Sequence, residues 1–225
     1  MGIKERKERE KKRRRDQILT AAIELIEEQG FEKTTMDEIA ERAELSKGTL
    51  YLYFNDKSTL HQAVKKRGLE HLYDKFLQVI KQDLPGAELV KKMMLTFLNT
   101  LTHNAAFTKA MVLYEHIKEG YNKEKQEEPS IVEDCKNIED ELFMIMVRAI
   151  QIGIQDGSIK THLEPKVLAL MLSFQMSGML KFYLSGSHDH AQKILNDNEL
   201  SIPKLLEEFL EIQFHEKNSP SDNQE

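Results

Sequence analysis

The chain has 225 residues, 31% charged and 40% apolar, and carries a formal net charge of −6. This balance suits one or two folded soluble domains and excludes a disordered chain. Cys135 is the single cysteine, which excludes an internal disulfide and CxxC-type metal sites and points to a cytoplasmic protein.

The opening MGIKERKERE holds no apolar stretch of the kind a secretory signal needs. The longest uncharged apolar run, VLALMLSFQMSGML at 167–180, is too short to span a bilayer and reads as a buried helix. No membrane partner is expected. Charge is unevenly spread. Residues 1–70 hold 16 basic against 14 acidic side chains, and the remainder 16 against 24. Residues 4–15, KERKEREKKRRR, carry nine basic and three acidic groups. Such a leader at 1–13 either meets a polyanion or is a solvated, frayed tail.

Taken in order, nearly every segment has helical spacing. Ile18, Leu19, Ala22, Ile23 and Ile26 form one apolar stripe, which ends at Gly30. Gly30 is expected in a left-handed C′ position, with Phe31 folding back on Ile26 in a Schellman ending. Thr35-Met36-Asp37-Glu38 is a capping box opening a second helix that buries Ile39, Ala40 and Ala43. Ser46 caps a short third helix, and Asp56 caps a fourth running to about Lys81. Further helices are expected at roughly 87–103, 106–120, 131–156, 165–185 and 202–216. Ser130 is the expected cap of the 131–156 helix, and 187–200 reads as a polar connection with room for one helical turn. Residues 218–225 read as a disordered tail. The fold class is all-α.

The residues TLYLYF at 49–54 alternate like a strand, yet a helix and a three-residue turn precede them. Two helices so joined make a helix-turn-helix, whose second helix enters a DNA major groove. On a helical wheel Leu50 and Phe54 share the inner face, leaving Gly48, Thr49, Leu52 and Tyr53 outward with Lys47 and Tyr51 on the flanks. Gly48 permits close backbone approach, and the free amides at the helix start suit a phosphate. Lys47 suits phosphate or guanine, Thr49 and Leu52 a thymine methyl, and the tyrosine hydroxyls phosphate. Thr35 and Lys57, at two more helix starts, are placed to clamp the backbone on either side.

The run TTMDEIAERAELSKGTLYLYFNDKSTL resembles the DNA-binding segment of the TetR family of bacterial repressors. The matching elements are Thr34-Thr35, Ile39-Ala40, the core from Ser46 to Tyr51, Tyr53-Phe54, and Lys57 with Leu60. The likeness covers about residues 14–62. It departs at Glu44, where relatives often carry Gly, and at Leu52 and Tyr53 on the presumed DNA face. If the turn needs a left-handed residue, Glu44 there costs about 1 kcal/mol.

The resemblance implies a helix-turn-helix domain at 14–60 and an effector-binding and dimerisation domain at 61–217. It implies a homodimer closed by a four-helix bundle of the last two long helices. It also implies a ligand pocket lined by the middle helices. Phe97, Met111, Tyr114, Phe143 and Phe174 are the candidate lining, although any one of them is also ordinary core filler; an effector would be mostly apolar. For the dimer interface, Ala169, Ser173 and Ser177 follow at i, i+4 and i+8 beside Leu172 and Met176. Leu205, Leu206, Phe209 and Ile212 give a second apolar stripe.

His188-Asp189-His190 does not have convincing metal-site spacing, and no cofactor is implied. No GxSxG, HExxH, GxGxxG or phosphate-loop motif occurs, so no enzyme is expected. The expected protein is a ligand-responsive repressor of a palindromic double-stranded DNA operator. The alternatives are a ligand-independent regulator or activator of the same fold, and a helical enzyme or scaffold.

Overall fold

The computed structural model describes residues 2–104, 106–111, 129–185, 189–201, 204–205 and 208–209. Every regular element among them is helical. They are α1 (Ile3–Gln29), α2 (Met36–Arg42), α3 (Lys47–Tyr51), α4 (Lys57–Ile80), α5 (Gly86–Thr102), α6 (Pro129–Asp156), α7 (Pro165–Ser185) and α8 (Asp189–Asp197). Residues 106–111 are also helical. Among the described residues, no helix is long and apolar enough to cross a membrane.

The chain divides into two compact units, Met1–Leu72 with Thr100–Asp140, and Tyr73–Asn99 with Glu141–Glu225. In the first, α1, α2, α3 and the start of α4 bury one cluster containing Ile18, Ala22, Ile26, Phe31, Ile39, Leu50, Phe54 and Leu60. Three predicted caps are present. The Thr35 hydroxyl accepts from the Glu38 N–H at 3.2 Å while the Glu38 carboxylate accepts from the Thr35 N–H at 2.8 Å. The Ser46 hydroxyl accepts from Thr49 N–H at 3.1 Å, and the Asp56 carboxylate from Thr59 N–H at 2.7 Å. Each cap satisfies a donor that the helix start leaves unpaired.

The first unit continues along α4 and α6. Lys66 pairs with Asp134 and Lys65 with Glu139, each at 2.7 Å. Cys135 is buried beside the Gln62 carbonyl, and burial pushes its thiol up to about 11. His61, 2% exposed, lies 4.5 Å from the Phe31 ring centroid. Its burial, with Lys65 and Lys57 nearby, lowers its imidazole to about 4, so it is neutral.

In the second unit the start of α5 is held by the loop after α6. Asp156 accepts from Gly86 N–H at 2.8 Å, and the Ser158 hydroxyl from Ala87 N–H at 3.0 Å. The Ser158 hydroxyl and the Gly86 and Ser158 N–H groups hold the Asp156 carboxyl below its usual range. A Cβ on Gly86 would stand 2.0 Å from the Gly153 nitrogen, so backbone lies on backbone here and only glycine fits.

Several expectations are corrected. Residues 4–15 are not a frayed tail; they are the first turns of a 27-residue α1. Glu10 bridging Arg13 and Arg14 supplies the i,i+3 and i,i+4 pairs that support a helix so rich in charge. Gly30 has φ 85° but ψ 159°, which turns the chain out of the left-handed helical region, so α1 has no Schellman ending. Phe31 is nevertheless buried with Ile26. α6 begins at Pro129, one residue before its expected cap, because proline's fixed φ suits a first helical position. The polar connection contains the nine-residue α8, on which Leu195 is buried. The expected helical turns at 112–120, most of 202–216, and the tail at 218–225 lie outside the described residues, as do Tyr114, His188 and Leu206.

Candidate nucleic-acid interface

The turn between α2 and α3 is the Schellman motif expected one helix earlier. Leu45 N–H donates to the Ala40 carbonyl and Glu44 N–H to the Glu41 carbonyl, each at 2.9 Å. Glu44 has φ 53°, the left-handed position for which glycine is the unstrained choice. Leu45 packs against the cluster as the hydrophobic half of the motif. From α1, the Gln17 amide donates to the Ala43 carbonyl at 2.7 Å. Arg42 forks onto Glu28 at 2.9 and 2.8 Å, also tying α2 to α1. The turn is thereby fixed from both sides.

α3 hangs from its buried side. Leu50 and Phe54 are both wholly buried, in keeping with the helical wheel. Arg15 lies over the Phe54 ring, 4.5 Å from its centroid, and reaches the Tyr53 carbonyl at 3.4 Å. The regular helix stops at Tyr51. Leu52 and Tyr53 N–H groups bond three residues back, to Thr49 and Leu50 at 3.2 and 2.9 Å, and this tighter turn rotates the next side chains. Tyr53 therefore is not outward like Leu52; it is half-buried against the cluster.

The outer side of α3 is small. Ser46, Lys47 and Gly48 are exposed, Tyr51 is 47% exposed and Leu52 83%. Thr49 is half-buried, and its hydroxyl shares a 2.8 Å hydrogen bond with that of Ser46. Lys47 pairs with Asp37 on the surface, a screened contact easily exchanged for a phosphate. Thr35 is exposed at the start of α2, its hydroxyl donating to Glu38 at 2.8 Å. Lys57 is turned inward. Its ammonium donates to the Glu32 carbonyl at 3.0 Å and lies 4.5 Å from the Phe31 centroid; burial holds it below its ordinary range.

Beyond the named candidates, Arg15 and Gln17 reach the helix-turn-helix, and Lys7 and Lys11, within the basic leader, lie beside α3. Lys7, Glu10 and Lys11 of α1 line, with Leu52 and Tyr53, an open groove of about 350 Å³ beside α3. The available signal was the heptad-like continuation of the α1 stripe into the leader.

The other predicted sites are distributed differently. Ala169, Leu172 and Met176 are 0%, 1% and 7% exposed, so the chain itself covers them. Ser173 and Ser177 are exposed, and the Ser173 hydroxyl donates to the Ala169 carbonyl at 2.8 Å. The apolar surface that α7 leaves open is Val167, Leu170, Met171 and Phe174. Phe174, expected to line a pocket, is 66% exposed. Phe97, Met111 and Phe143 are half-buried, and Phe209 is 37% exposed.

A short capped helix carried by a four-residue turn, with its outer side open, defines a helix-turn-helix protein of all-α fold. Residues 18–64 match the family described as bacterial regulatory proteins, tetR family. The likeness to that family thus covers the helix-turn-helix segment. It is 32% identical over 92 residues to the HTH-type transcriptional activator FasR of Mycolicibacterium smegmatis, an alignment covering 41% of this chain and 42% of FasR. The chain thus spans less than half of that relative's length. The structure resembles that of FadR from Bacillus subtilis in complex with stearoyl-CoA, with TM-score 0.63, 20% identity, and 88% and 97% of the two chains covered. It also resembles AibR in complex with isovaleryl coenzyme A and operator DNA, with TM-score 0.60, 21% identity, and 89% and 98% covered.

Proposed function

We propose that this chain is a DNA-binding transcriptional regulator, a repressor released from a palindromic operator by a mostly apolar small-molecule effector. The observation that carries the reading is α3. Leu50 and Phe54 anchor it, while Ser46, Lys47, Gly48, Tyr51 and Leu52 stand outside with no packing role. Lys47 and Tyr51 supply donors to phosphate, and Leu52 an apolar contact for a thymine methyl. In this reading residues 14–60 bind DNA, and 61–217 bind the effector and a second subunit. The open face of α7 around Phe174 suits that second subunit, since apolar surface of this kind gains by being covered. A dimer reads a palindrome because its two recognition helices fall one helical turn apart, about 34–36 Å.

The apolar part of this effector is the acyl chain of an acyl-CoA, a thioester whose coenzyme A portion is polar and anionic. Support comes from FadR and AibR, each bound to one. Release requires only that the effector bind the DNA-incompetent form better than the DNA-competent one. A second reading, activation, is favoured by the relative FasR, described as an activator.

The test is a titration against duplexes from the gene's own promoter region at several salt concentrations, with and without long- and short-chain acyl-CoA. Affinity should fall linearly with salt on logarithmic axes, and the matching acyl-CoA should release the DNA. Binding to none of these duplexes would overturn the regulator reading. Transcription from the bound promoter then separates repression from activation.

A further inference from the structure

The buried stripe of α1 does not end where the domain ends. Counting back from Leu25, Ala22 and Ile18 by helical steps of three and four leads to Arg15, Lys11, Lys7 and Lys4. One face of a single helix is therefore apolar where it covers the cluster and basic where it extends past it. Arg15, at the junction, lies over the Phe54 ring and reaches the Tyr53 carbonyl, which fixes the direction of this face relative to α3. Lys7 and Lys11 then share a groove with Leu52, the most exposed residue at the end of α3, and with Tyr53. Glu10 also lines that groove, but its carboxylate is bridged by Arg13 at 2.6 Å and Arg14 at 3.0 Å. Glu8 borders the stripe, while Arg6, Arg9 and Lys12 lie off it.

We propose that Lys4, Lys7 and Lys11 form a phosphate-binding rail, which lies along the DNA backbone beside the groove that α3 enters. The inference rests on the regulator reading above. Spacing supports it. Successive lysines at i, i+3 and i+7 stand about 4.5 to 6 Å apart along the axis of a helix rising 1.5 Å per residue. That is comparable with the spacing of phosphates along one strand, and lysine is a compact, flexible partner for them. The rail lacks a fork suited to bidentate contact with a base, and its contacts would carry no sequence information.

The rail makes a charge-matched experiment possible. The full-length triple variant Lys4→Gln, Lys7→Gln, Lys11→Gln is compared with Arg6→Gln, Arg9→Gln, Lys12→Gln. Both lose three positive charges from the same three turns. Far-UV circular dichroism checks that both keep wild-type helicity. Against a promoter duplex and one of unrelated sequence, the rail variant should show a logarithmic salt slope shallower by about 5, because three phosphate contacts are lost in each of two subunits. The off-stripe variant should change it by less than about 1, as expected of charges that touch no phosphate. The rail variant's preference for one duplex over the other should stay at the wild-type ratio. Equal slope changes in the two variants, or an unchanged slope in the first, would overturn the rail. Failure of the wild-type chain to bind either duplex is a different result, which removes the regulator reading itself.

Discussion

The α2–α3 region and α7 both carry apolar side chains, yet they handle them in opposite ways. Beneath α3 the inward apolar side chains are closed off by the chain, with Leu50, Phe54 and Ile39 wholly buried and the adjoining turn carbonyls claimed by Gln17 and by Leu45 N–H, while Leu52 stands open beside small and polar neighbours. α7 closes only one side. Ala169 and Leu172 are covered, whereas Val167, Leu170, Met171 and Phe174 stand open. In the proposed reading, the difference separates a surface that stays wetted until a polyanion arrives from one that a second subunit covers. Polar groups can exchange water for phosphate at little cost, while an aromatic ring in water cannot be satisfied by water.

The strongest way to break the comparison is at its closed end. Leu50→Ala removes a fully buried side chain from under α3 and should lower unfolding free energy by about 3 kcal/mol, read by urea denaturation. A loss as small as that of a surface substitution would mean α3 is not anchored as described. Next comes the His61 imidazole beneath the same cluster. Its folded value of about 4 lies below the ordinary 6.5, so the unfolded chain takes up a proton that the folded chain refuses. The sign is fixed: stability is undiminished above pH 6.5 and is lost as pH falls toward 4. His61→Leu should remove this acid-side loss, worth up to about 3 kcal/mol, in melting curves taken between pH 7 and 4. A variant with the same acid slope as wild type would assign that slope to other groups.

A smaller effect, of opposite sign, sits in the turn. Glu44→Gly relieves a left-handed residue and should stabilise by about 1 kcal/mol, with urea midpoints as the readout. Destabilisation would show that the Glu44 side chain has a compensating role. At the open end, Phe174→Ser should leave the dissociated chain within about 0.5 kcal/mol of wild type, because the ring is largely solvated already. The same variant should weaken self-association in sedimentation equilibrium. Unchanged association would place the subunit contact elsewhere.

The sequence is most legible where a side chain bonds to backbone a few residues away. Thr35, Ser46 and Asp56 are caps in the fold because a hydroxyl or carboxylate three positions from a free amide has little else to do. Leu50 and Phe54 are legible for a similar reason, their spacing admitting one inward face. Gly30 shows where such local reasoning stops. A positive φ is expected and is present, but ψ is chosen by where the next segment must go. Glu44 reveals the converse, since the left-handed turn is needed and the chain accepts it without glycine.

Tyr53 is misplaced by a uniform wheel carried past Tyr51, where the turn tightens. On α7 the small residues suggest a partner, though close approach within one chain uses small residues just as well, and Ala169 is spent there. The leader is hard to read because its charge density argues for disorder. The regular spacing of Lys4, Lys7, Lys11 and Arg15, with Glu10 placed to pair with Arg13 and Arg14, argues for an ordered helical face.

The cation–ring contact of Arg15 with Phe54 has a mechanical consequence. Arg15 marks where α1 leaves the cluster, so the turns toward Lys4 form an arm that would swing if the helix tilted there. Eleven residues at 1.5 Å each give an arm of about 16 Å. A tilt of about 10° at the fulcrum would then move Lys4 by nearly 3 Å, about the length of a hydrogen bond. In the proposed complex, a reorientation too slight to pull α3 from the groove would thus be enlarged at the tip to the scale at which a salt link is made or lost.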